Sequence, residues 1–216
     1  MNFKIYHPLT TDGFTVARLL SVLLHPIILI QLIFIVAIQY DGLWHSPPRN
    51  HNGWFVLIIA LVFVAVFPIL ATFWLLKHRI VSTWEMTQRQ ERNAPFIIMV
   101  AFSLLLWLVY DLMGVGGMVY RLPLFGALLI SLTFLVNLFW KISIHMAGIG
   151  ATVAFFNCFF SEPSALMLII FIISGIALTF LAAYARLKLK AHNPFQLVVG
   201  WIAGFLMGLF YFRNMM

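Results

Sequence analysis

Charge is what this sequence has least of. Only 9% of its 216 residues are Asp, Glu, Lys or Arg, while 63% are hydrophobic; ordinary soluble domains carry roughly a quarter charged residues and about half apolar. Mean hydropathy is +1.04. Such a composition excludes a soluble globular protein, and with it a disordered chain or one that binds nucleic acid. Acids are scarcer than bases, 6 Asp+Glu against 13 Lys+Arg, for a formal charge of +7. Cysteine is nearly absent: a lone Cys158 inside an apolar run excludes a disulfide framework and leaves the redox compartment open. No small-residue cleavage site follows the first apolar run, which is itself too long for a signal-peptide core, so no cleavable leader is expected.

Long hydrophobic runs take up the rest. They lie at about 16–40, 54–76, 95–110, 120–140, 143–160, 165–184 and 194–212. A spanning helix needs roughly 20 predominantly apolar residues. The expectation is an all-α fold, a polytopic transmembrane bundle of six to seven spans forming a single integral membrane domain over residues 1–216. The weakest boundary lies between the fourth and fifth runs, where only Lys141 and His145 interrupt the apolar pattern. The break is kept because one helix through both runs would be about twice as long as a bilayer needs. No repeat period is visible.

Counting faces by alternation puts the N-terminal segment, 77–94, 141–145 and 186–192 on one side. That side carries Lys4, Arg18, Lys77, Arg79, Arg89, Arg92, Lys141, Arg186, Lys188 and Lys190; the other has Arg49, Arg121 and Arg213. Ten against three is a positive-inside signal, placing this face and the N-terminus in the cytoplasm. Anionic lipid headgroups alone would suit such a balance. Other chemistry gathers on the same face, however. Asn93 ahead of Pro95, Ser143, and Asn193 directly before Pro194 all read as helix starts. Helix N-termini present free N–H groups and partial positive charge, which favours anions.

The spacing Arg186-x5-His192 carries further information. Six helical steps rotate by about 600°, leaving the two side chains apart on a continuous helix. They converge only if one helix stops after Arg186 and another starts after His192, and Asn193-Pro194 supplies that start. Taken alone, Arg186, Lys188 and Lys190 also suit a basic interfacial turn, and His145 and His192 suit capping.

Together these residues resemble the type 2 phosphatidic acid phosphatase superfamily, which includes the vanadium haloperoxidases. Its three ordered motifs are Lys-x6-Arg-Pro, Pro-Ser-Gly-His and Ser-Arg-x5-His-x3-Asp. The third is matched by Ala185-Arg186, five residues, His192, three residues and Gln196, with Gly200 beyond. The second is matched by Ser143-Ile144-His145 after Lys141, and the first is reduced to Arg89-x2-Arg92-x2-Pro95. The phosphatase-like core covers about 77–208, leaving the first two runs outside the motifs.

The resemblance implies a metal-independent lipid phosphatase without a cofactor. His192 would attack phosphorus and form a phosphohistidine, His145 would act as general acid, and Arg186, Arg89, Arg92, Lys141 and Ser143 would hold the phosphoryl oxygens. Substrates would be isoprenoid diphosphates, phosphatidate or phosphatidylglycerophosphate, with surrounding membrane lipids as the remaining partners. Three departures stand out. Gln196 replaces the aspartate that orients the nucleophile, and Asn193-x2-Gln196 equally fits a capping box. Ile142 and Ile144 replace Pro and Gly of the second motif, and Glu85 takes the place of the first motif's Lys. They leave open a silent relative that binds a lipid phosphate or serves as a subunit of a membrane complex. A transporter would need polar residues at mid-membrane, where only Gln31 and Asn137 are found.

Overall fold

The computed structural model describes residues 12–43, 52–84, 86, 88–159 and 164–214. Helix is the only regular structure among them, and six helical segments are long and apolar enough to cross a membrane: Thr15–Tyr40, Gly53–Lys77, Gln90–Met113, Gly117–Phe139, Leu166–Lys188 and Pro194–Arg213. The protein is an all-α, multi-pass integral membrane bundle.

Proline shapes the first two spans. The first is two helices, α1 (Asp12–Leu23) and α2 (Pro26–Tyr40), because Pro26 has no N–H to continue the ladder and sits in the first turn of a new helix. His25 caps that helix, its Nδ1 accepting from the Ile27 N–H at 3.2 Å. The second span joins α3 (Gly53–Leu61) to α4 (Phe67–Lys77) through one π turn, Val62–Val66, which lies just ahead of Pro68 and absorbs its missing donor.

A 3-10 turn, Gln90–Arg92, leads into α5 (Asn93–Met113), which Gly114 closes at φ 71°. Asn93 is therefore not the helix start expected from the sequence. Its backbone already follows the turn (φ −62°, ψ −49°), and its Oδ1 accepts from Asn137 Nδ2 at 3.2 Å. At the opposite end Asp41 caps α6 (Gly117–Phe139), accepting from the N–H groups of Met118 (3.1 Å) and Val119 (2.8 Å). The expected break after the fourth run is present: Trp140 is extended (φ −148°, ψ 137°) before α7 (Ile144–Phe159) begins.

α7 has 16 residues, about 24 Å at 1.5 Å per residue, short of a ~30 Å hydrocarbon core. It lies inside the bundle, with residues such as His145, Ile149, Gly150 and Phe155 buried. α8 (Ala165–Lys188) is the reverse, presenting Leu166, Ile170, Ile173 and Phe180 outward. It is tied to α9 (Pro194–Arg213) by Trp201 Nε1 donating to Thr179 Oγ1 at 3.0 Å.

Small residues bring α7 and α9 into backbone contact. A Cβ added to Gly200 would meet the Ser143 carbonyl oxygen at 2.6 Å, one at Gly204 would collide with the Ala147 carbonyl, and one at Gly208 would meet the Ala154 Cβ at 2.7 Å. From α7's side, a Cβ on Gly150 would collide with the Trp201 carbonyl. The partner numbers rise together, so the helices run parallel with their N-termini at one level. Close approach of this kind holds helices together in lipid, where no hydrophobic force drives them to associate. At the far end Phe125, Phe155 and Phe212 interlock, with ring centroids 4.6 and 5.1 Å apart.

Gly204→Ala is expected to destabilise the protein by about 1–3 kcal/mol, since the neighbour is backbone and cannot move aside. Gly126→Ala, whose Cβ meets nothing nearer than Ser103 Oγ at 3.7 Å, should be neutral or stabilising by roughly 0.5–1 kcal/mol. Thermal unfolding in detergent checks both, and equal midpoints would contradict the packing of α7 on α9.

Candidate anion site at the helix ends

The segment between Arg186 and His192 is two helix-end devices in succession. α8 closes with Lys190 in the left-handed region (φ 52°), the Lys190 N–H donating to the Leu187 carbonyl (2.9 Å) and the Ala191 N–H to the Arg186 carbonyl (3.0 Å). That pairing is a Schellman motif, here with Lys rather than Gly at the left-handed position. It folds the chain back so that His192 returns beside Arg186. The start of α9 is a capping box: Asn193 Oδ1 accepts from the Gln196 N–H at 2.9 Å, and Gln196 Oε1 accepts from the Asn193 N–H at 3.2 Å. The five intervening residues are what this reversal requires.

Gln196 does more than cap. Its Oε1 also lies 3.1 Å from His192 Nδ1. The main-chain N–H of Asn193 can only donate, which fixes the amide with its oxygen on this side, so His192 Nδ1 must carry the proton it donates to Oε1. The lone pair of the neutral ring then sits on Nε2. Capping and orientation, alternatives in the sequence, share a single oxygen atom.

α7 supplies the second histidine. Ser143 caps the helix, its Oγ accepting from the Met146 N–H at 3.4 Å, and is fully buried. Its hydroxyl oxygen is thereby engaged in the first turn. His145, two residues on, donates a ring N–H to the Ser21 main-chain carbonyl, while Nε2 is buried without a partner among the described residues. Its ring stands edge-on to that of His25, centroids 4.9 Å apart and planes at 87°.

Cations close the cluster. Arg92 donates from Nε to the Met86 carbonyl (3.0 Å) and from a terminal nitrogen to the Ile142 carbonyl (3.4 Å), joining the 3-10 turn to the segment before α7. Arg186 donates to Ser21 Oγ at 2.8 Å. The Arg186 charge acts on His25, Arg92, Lys141, His145 and His192 alike. Arg92, His145 and His192 are each only 7–8% exposed. Burial, then the Arg92 and Arg186 charges, pushes the His192 pKa down to about 3, with the Gln196 bond working the other way. The half-exposed Lys141 ammonium is held below its ordinary value by partial burial and the same two arginines. Like charges gathered around neutral, partly desolvated imidazoles describe a place for an anion.

Of the eight residues singled out from the sequence, His192, His145, Arg186, Arg92 and Lys141 interact with one another, and Gln196 and Ser143 support the two histidines. Arg89 takes part through its main chain: its carbonyl accepts from Asn137 Nδ2 at 3.0 Å. Glu85 lies outside the described residues. Ser21 and His25 were missed, because the first run was read as lying outside the site. The available signal was His25-Pro26 itself, an ionisable residue and a helix breaker in the middle of an apolar span.

No family model matches the chain, and no curated protein or solved structure matches it.

Proton linkage at His192 gives a direct check. The unfolded imidazole titrates near pH 6.5 and the folded one at about 3, so between these values the unfolded state binds a proton that the folded state refuses. This contribution to stability is complete above the unfolded value and declines as pH falls through the window. Nitrogen-resolved NMR of labelled histidine should show His192 neutral, with the proton on Nδ1, from neutral pH to about pH 5. A ring that protonates near pH 6.5 would contradict the described environment.

Proposed function

We propose that this protein is a membrane-embedded phosphatase of lipid phosphates that works through a phosphohistidine. The observation that carries this reading is the meeting of Arg92, Lys141 and Arg186 around two histidines, one of which, His192, has Nδ1 bonded to Gln196 and Nε2 left with the lone pair. Nε2 attacks phosphorus while the bond to the leaving oxygen breaks, and His145, neutral beside the arginines alone and taking up a proton as the phosphate's negative charge offsets them, gives that oxygen a proton. Water then attacks the phosphohistidine, passing a proton to His145 and releasing phosphate and free His192. The three cations hold the equatorial oxygens as charge shifts between attacking and leaving groups. Gln196 positions the imidazole without lending it charge, which Asp would do.

The apolar surroundings restrict substrates to molecules whose tail enters the membrane while the phosphate stays at its edge. The ten-to-three distribution of Lys and Arg supports a cytoplasmic position for this edge. Cysteine introduced at Lys188 should resist an impermeant reagent applied to intact cells, and cysteine at Arg121 should react; the opposite pattern would reverse the orientation.

Phosphate release from purified protein in detergent is expected to need no added metal and to be inhibited by vanadate, which adopts the trigonal bipyramid of the transferring phosphorus. His192→Ala should abolish it, and Arg186→Ala should slow it by about 10²–10³, the scale of a lost transition-state donor. Turnover close to wild type in either variant, or an absolute requirement for magnesium, would overturn the mechanism.

Gln196→Glu keeps the acceptor for both bonds and should hold or raise the rate. Gln196→Ala should lose rate as well as about 1 kcal/mol of stability from the broken cap. An alanine variant that is less stable but equally fast would reduce Gln196 to a cap.

A further inference from the structure

A cavity of about 100 Å³ reaches the first turns of α2 and α7. Its walls come from five helices and the π turn, among them Pro26 and Ile30 of α2, Pro68 of α4, Met99 of α5, Leu129 of α6 and Ile144 of α7. Three of these walls carry a proline that keeps the helix from running straight: Pro26 at the α1–α2 break, Pro68 beyond the π turn, and Pro123 inside α6. The lining is apolar apart from Ser103 and Thr152, and the Thr152 hydroxyl is already donated to the Gly148 carbonyl at 2.8 Å.

Two of the cavity's lining residues are chain neighbours of histidines at the proposed phosphate site. Pro26 follows His25, Ile144 precedes His145, and the two imidazoles are in edge contact at 4.9 Å. Headgroup chemistry and an apolar recess thus meet across one residue on each of two helices. The volume is of the order of the ~150 Å³ apolar cavity that accepts a benzene ring. A space of that size takes a few methylenes of one hydrocarbon chain and leaves no room for a second beside it.

We propose that this cavity receives the first methylenes of the hydrocarbon chain of the lipid whose phosphate is held by Arg92, Lys141 and Arg186, and that the substrates are single-chain lipid phosphates. This deepens the phosphatase reading and rests on it for the position of the headgroup. Each methylene moved from water into the recess contributes about 0.8 kcal/mol, but from lipid almost nothing. The recess therefore selects by shape and by where it places the phosphate, rather than by raw affinity.

The test reads binding, so it is independent of turnover. The purified full chain in detergent is illuminated with hexadecyl phosphate carrying a diazirine a few carbons from the phosphate, and adducts are mapped by mass spectrometry. Adducts are expected on the α5 and α6 walls, around Met99 and Leu129, and should be removed by excess hexadecyl phosphate but several-fold less well by two-chain phosphatidate. Gly126→Leu, at a cavity-lining glycine with room for a side chain, should suppress them without lowering thermal stability. If that variant does not fold, Leu129→Phe narrows the same space. Adducts confined to the outward face of α8, or insensitive to either substitution, would overturn the proposal, and equal competition by phosphatidate would overturn the single-chain preference. Adducts in the cavity without any phosphate release would support the cavity while refuting the catalytic reading.

Discussion

Ser143, Ala147 and Ala151 stand one helical turn apart on α7, and Gly200, Gly204 and Gly208 meet them turn by turn on α9. Only hydrogen at those three glycines lets the backbones approach so closely, and the constant register makes the helices parallel. In lipid this contact is among the few forces available to join two apolar helices. Its consequence is positional. Two helix N-termini are held at one level, His145 in the first turn of one and His192 just ahead of the other.

Around that pair the local geometry is over-determined. Gln196 Oε1 accepts from a backbone donor and an imidazole together, so the tautomer of His192 follows from the start of α9. The Schellman closure of α8 sets where Arg186 ends and His192 begins, at the expense of a lysine at φ 52°. A left-handed non-glycine residue costs about 1–2 kcal/mol, which the surrounding hydrogen bonds offset. Arg79 ends α4 in the same way, at φ 59° with Ile80 N–H donating to the Leu75 carbonyl at 2.9 Å. Each of these turns thus places a basic residue where a glycine would be easier.

The bundle is polar at one end and aromatic at the other. The interlocked Phe125, Phe155 and Phe212 close the far end, where Tyr110 also donates to the buried Val56 carbonyl at 2.8 Å and joins α5 to α3. Between the two ends the proline-bent walls of α2, α4 and α6 leave the apolar recess.

Much of this was legible in the sequence, because a membrane imposes strong rules on composition. Apolar runs of about the bilayer's thickness fixed the helices, and the break at Trp140 was visible because one helix could not run twice that length. The Arg186-x5-His192 spacing and Asn193-x2-Gln196 could be read because a helix reversal and a capping box are local events, complete within a few residues. Asn93 misled for the opposite reason: its cap potential is taken up by Asn137, 44 residues away. His25 and Ser21 could be placed only by tertiary structure, since packing of α1 on α8 and of α2 on α7 sets them against Arg186 and His145. The recess was invisible as well, for its walls come from five helices and the π turn, and no stretch of chain encodes a space between helices. Sequence by itself determined which segments are helical, where they turn, and which chemistry lies at their ends. The tertiary structure decided which ends meet, because contact between helices in lipid depends on where small side chains face one another across the bundle.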